Sequence, residues 1–200
     1  MKARIPRPRM TRWLRAGALL VMIAPLAGTL LAQEVTVELD PAKTRIDYTV
    51  GATLHTVHGT FALKNGTIHF NPATGSASGL VVVDATSGAS GNKGRDHKMH
   101  EEVLESQRYP EITFTPTKMS GRLNFPGSSS VQVDGIFRLH GTDHPIASTL
   151  QVQVQGQSLS ARTHIVIPYM DWGLKNPSTF ILHVSESVDI NITAEGSLHR

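Results

Sequence analysis

The chain has 200 residues, with 19 Lys or Arg against 16 Asp or Glu, ten His and no Cys. That length suits one domain, and the lack of cysteine excludes a disulfide scaffold, so a hydrophobic core must stabilise the fold. The formal charge of +3 misleads: six cations precede the first acid, and the rest of the chain carries 13 cations and 16 acids, a net −3 that gives no charge argument for nucleic acid.

Those six cations are Lys2, Arg4, Arg7, Arg9, Arg12 and Arg15, and the apolar run AGALLVMIAPLAGTLLA follows from Ala16 to Ala32. A basic head, an apolar stretch and a small residue before a polar start form the layout of a secretory signal peptide. The expected cut falls after Ala32, which makes residues 1–32 a leader and residues 33–200 the exported domain. The alternative is an uncleaved anchor, although the segment holds Pro25 and is barely long enough to span a bilayer.

Beyond the leader, apolar residues recur with period two. Arg45 to Val50, Leu150 to Gln155 and Ser187 to Thr193 alternate polar and apolar, and Val131, Val133, Phe137 and Leu139 share one face. Such strands bury one side and wet the other, as antiparallel sheets do. Leu80 to Val83 is continuously apolar, which suggests burial on both faces. Lys64-Asn65-Gly66-Thr67 carries a two-residue hairpin signal. Gly75, Gly127-Ser128, Gly141-Thr142-Asp143 and Gln155-Gly156-Gln157 supply further turns. About eight strands with short connections fit either a closed barrel or a two-layer sandwich.

One stretch breaks the pattern. From Asp96 to about Ser106 there is neither alternation nor a turn residue, and Met99 and Val103 fall on one helical face. The spacing predicts a short helix, about 96–106, with Asp96 as N-cap and Pro110 forbidding continuation. His97 and His100 lie on adjacent turns of this helix, with Glu101 able to add an oxygen. Zinc or nickel would accept that set, which makes a metal-binding protein or metal-dependent enzyme the alternative reading. A solvated helix face explains the same residues. His55 and His58 fall on opposite faces of an extended strand, and His140 and His144 flank a turn. No nucleophile elbow or glycine-rich phosphate loop occurs, so no catalytic residue is assigned and no enzyme is expected.

RDHKMHEEVLESQRYPEITF resembles the signature of the YceI-like family of periplasmic proteins, through Arg95, Asp96, His97, Tyr109, Pro110, Ile112 and Phe114. His58-Gly59-Thr60-Phe61 is similar to the family's early strand, and Asp171-Trp172-Gly173 to its late loop, with Trp172 where Phe is common. Val103 and Leu104 stand where the family usually has a pair of aromatics. The resemblance implies an all-β, lipocalin-like, eight-stranded antiparallel barrel with one short helix. It implies an isoprenoid lipid, quinone or other long amphiphile as bound ligand, with no cofactor. The expected interior then comprises Ile46, Tyr48, Phe61, Phe114, Val133, Phe137, Leu139, Val152, Val154 and Trp172. A homodimer and transient contact with a membrane stay open. Alternation does not separate a lined pocket from a filled core.

Overall fold

The computed structural model describes residues 34–53 and 55–200; the expected leader lies outside them. Nine strands follow in chain order: β1 (Val35–Leu39), β2 (Arg45–Gly51), β3 (Thr56–Phe70), β4 (Ala77–Ala89), β5 (Glu111–Ser120), β6 (Gly127–Leu139), β7 (Thr142–Gln155), β8 (Ser158–Ile167) and β9 (Val188–His199). Every pairing is antiparallel. The order β3-β2-β9-β8-β7-β6-β5-β4 returns to β3, so the sheet closes. Closure removes the unpaired edges of an open sheet. β1 and β2 share one position, each lying between β3 and β9. Nine segments therefore build the expected eight-stranded barrel.

The strands form where alternation predicts them. Ile46 and Tyr48 are buried while Arg45 is exposed, and Val152 and Val154 are buried between exposed Gln151 and Gln155. The turn at His140-Gly141 has both residues at positive φ (51° and 78°) and joins Leu139 to Thr142, the twist a two-residue hairpin requires.

Two strand expectations are corrected. Asn65-Gly66 makes no turn; both residues lie inside the 15-residue β3, whose register against β4 shifts between Leu63 and Asn65. A Cβ on Gly66 would come within 2.8 Å of Leu39 Cδ1, so this glycine gives β1 room to pair rather than bending the chain. The run Leu80 to Val83 is not buried throughout either: Val82 is buried, but Leu80 is 45% exposed.

The helix begins earlier than the spacing predicts. α1 covers Lys93–Lys98 and continues as a π-helical turn over Met99–Val103. Its N-cap is Asn92, whose side chain accepts from Arg95 N, and not Asp96. Asp96 instead accepts from the backbone N–H and the hydroxyl of Ser90. Arg95 donates to the same Ser90 through Nε (2.7 Å to Oγ) and Nη2 (3.0 Å to O). The Arg-Asp pair thus clamps the end of β4 to the helix.

Candidate functional site: an apolar bore under a tethered helix

His100 fixes the far end of the helical segment. Its Nε2 lies 2.9 Å from the Gly88 carbonyl and its Nδ1 3.0 Å from Ser106 Oγ. A carbonyl only accepts, so Nε2 carries the proton and Nδ1 accepts from Ser106. Ser106 is 1% exposed. Both imidazole nitrogens are thereby engaged, and neither is free to ligate a metal beside His97 and Glu101. His97 is exposed. Among the described residues, no group of three or more His, Asp or Glu is placed to hold a metal ion.

Below the helix the barrel axis is hollow over part of its height. An upper cavity of about 440 Å³ lies against α1, and a lower one of about 200 Å³ sits deeper between the strands. Drug-sized ligand sites span roughly 300–1,000 Å³. Ile112 and Phe137 line both cavities and mark their boundary. Beyond the lower cavity, the buried Val35, Val154 and Leu198 belong to a packed apolar cluster and line neither space. The upper cavity opens at the helix end, where exposed His55, Asn92, Gly94 and Thr179 stand among its lining residues.

The walls are almost wholly apolar. Tyr48 and Phe61 form a tilted aromatic pair with centroids 5.3 Å apart, and the Tyr48 hydroxyl is directed to Met99 Sδ at 3.6 Å. Burial first, then the charge of Asp96, raise the Tyr48 phenol above its ordinary range. In the lower cavity the hydroxyls of Ser148 and Thr163 bond each other at 2.6 Å, and Thr163 also bonds the Thr149 carbonyl. These polar groups satisfy one another and leave the bore a greasy tube.

Of the expected interior residues, Tyr48, Phe61 and Leu139 line the upper cavity, Ile46, Phe114, Val133 and Val152 the lower, and Phe137 both. Two are placed elsewhere. Val154 is 1% exposed within the packed cluster, because alternation gives its facing but not its height along the axis. Trp172 lines neither cavity. It stacks on His144 at 3.9 Å and packs against Phe137 at 5.8 Å, so it backs the residue at the boundary. Val103 and Leu104 line the upper cavity. Sequence reasoning missed Tyr169 and Leu174, which lie in the irregular segment after β8 and carry no periodic signal. It also missed Ile190, whose inward facing was implicit in the alternation from Ser187 to Thr193.

A closed antiparallel barrel with an apolar bore and one helix at its mouth defines a lipocalin-like architecture. The chain belongs to the YceI-like family: the YceI-like domain matches residues 37–196. Similar solved structures include BcnA of Burkholderia cenocepacia (TM-score 0.64, 16% identity, covering 81% of this chain and 99% of that one). A polyisoprenoid binding domain from Saccharophagus degradans, implicated in plant cell wall breakdown, aligns with TM-score 0.60 and 16% identity over 80% of this chain and 97% of that domain. The YceI protein of Campylobacter jejuni aligns with TM-score 0.57 and 19% identity over 72% and 86%. No curated protein matches the chain.

Proposed function

We propose that this protein is an exported, non-enzymatic binding protein that carries or sequesters an isoprenoid lipid, a quinone or another long amphiphile in its bore, in the periplasm. The observation that carries the reading is the apolar bore itself, in a chain of the YceI-like family. The polyisoprenoid-binding domain of Saccharophagus degradans, similar in fold, supports an isoprenoid as the ligand class. Each methylene taken from water contributes about 0.8 kcal/mol. Several prenyl units therefore supply well over ~10 kcal/mol gross before the costs of association and ordering. The largely apolar lining suits burial of a hydrocarbon chain.

Organic-solvent extraction of protein purified from its native host, followed by mass spectrometry, tests the reading. A stoichiometric long-chain isoprenoid or quinone is expected. Protein that carries no lipid and also fails to take up geranylgeraniol delivered from cyclodextrin would remove it. Fractionation with N-terminal sequencing tests the export, with Gln33 expected as the first residue.

A further inference from the structure

Between β8 and β9 the chain forms a turn whose tip is Phe180-Ile181, with Phe180 fully exposed and Ile181 79% exposed. Two such side chains side by side in water are unusual on a soluble surface. The tip is not loose chain. Thr179 N bonds Leu182 O at 2.8 Å, and Leu182 N bonds Thr179 Oγ1 at 3.1 Å. The base is tied to the β2–β3 connection through Thr53 N to His183 O at 3.0 Å, and to α1 through Lys98 Nζ to Pro177 O at 2.9 Å. Thr179 and Leu182, which flank the tip, line the upper cavity. The exposed pair is therefore the outer lip of the bore's own mouth.

Charge on the segments around that mouth is mostly positive. The segments Thr49–His58, Thr86–Arg95 and Lys175–Ser185 contain no Asp or Glu in a chain whose domain is net −3. They carry Lys93, Arg95 and Lys175 together with His55, His58 and His183, and Lys98 adds another cation. Of the acids beside these segments, Asp96 accepts from Ser90, Glu102 pairs with Lys175 and offsets that cation, and Glu186 follows Ser185. An aromatic and an aliphatic tip inside a cationic rim matches the interface of a bilayer with anionic headgroups.

We propose that Phe180 and Ile181 insert into an anionic bilayer surface and seat the mouth of the bore on it, so that a hydrocarbon tail passes between membrane and bore without crossing water. This rests on the lipid-binding reading above, but its test separates the two. The protein is expressed with its own leader, and its N-terminus is read by mass spectrometry. It is compared with the variant Phe180→Ser, Ile181→Ser, whose changed residues line no cavity. Flotation with vesicles of equal parts phosphatidylethanolamine and phosphatidylglycerol should show the variant partitioning at least about tenfold more weakly. Added salt, or phosphatidylcholine vesicles, should weaken binding of the parent chain. Uptake of geranylgeraniol from cyclodextrin should be equal in the two proteins, while extraction of the same chain from loaded vesicles should fall in the variant.

Equal partitioning of parent and variant overturns the proposal. So does a tip-dependent association with another protein while vesicle binding is unchanged. If neither protein takes up geranylgeraniol but vesicle binding still depends on the tip, the docking surface stands and the bore reading falls.

Discussion

Glycine opposite an aromatic ring recurs in this barrel, and it carries a cost that mutation can read. A Cβ on Gly59 would lie 2.4 Å from both Tyr48 Cζ and the Ala89 carbonyl, and one on Gly135 would lie 2.5 Å from the Phe114 ring. The glycines let these rings lie flat across a neighbouring strand at the cavity wall. Gly59→Ala or Gly135→Ala should destabilise by about 1–3 kcal/mol through overpacking. Thermal melting would show it as a fall in Tm of several degrees. Tyr48 supports a second prediction. An unfolded tyrosine deprotonates near pH 10, whereas the folded Tyr48 phenol holds its proton to higher pH, through burial first and Asp96 second. Above pH 10 the unfolded state binds fewer protons, so stability present below that pH is lost as the pH climbs toward the folded pKa. Tyr48→Phe should flatten part of this alkaline loss in denaturant titrations. Tyr169, raised by burial and then by Glu186, should account for a further part.

Among the elements, the helical segment is short and holds no fully buried residue, so its position depends on tethers at both ends. His100→Ala would leave the Gly88 carbonyl and the buried Ser106 hydroxyl without their partner. The expected cost is about 1–3 kcal/mol, with faster amide exchange confined to residues 93–106. Global unfolding with no local change in exchange would refute the tether. The strands were legible because alternation reports facing directly: Ile46, Tyr48, Val133 and Val152 all point where the pattern sends them. The Asn65-Gly66 signal failed because a dipeptide reports only local preference. The close approach of Leu39, distant in sequence, decides that position. Asp96 failed as a cap because it has a competing partner, Ser90, just past the end of β4.

At the scale of the molecule, the height and contents of the bore were not written in the periodicity. Inward residues look alike whether they are packed against neighbours, as Val154 is, or line open space, as Leu139 does. Volume is a property of eight strands together. It also sets two opposite predictions. Ile190→Trp should fill the upper cavity and reduce prenyl uptake at least about tenfold while leaving the melting temperature nearly unchanged, since the added ring occupies existing space. Phe137→Leu should widen the boundary between the cavities and lengthen the chain that is accepted, read as tighter binding of longer prenyl alcohols relative to shorter ones.

The position shared by β1 and β2 has one more consequence. Both pair with β9 across a sequence separation of well over a hundred residues. A nascent chain that emerges N-terminus first cannot close the ring until β9 has appeared, and meanwhile the earlier strands wait with an open seam. Such non-local topologies fold slowly and aggregate while they wait. The C-terminal strand is therefore a latch, and a chain cut short before Val188 is a sheet with two sticky edges rather than a smaller barrel.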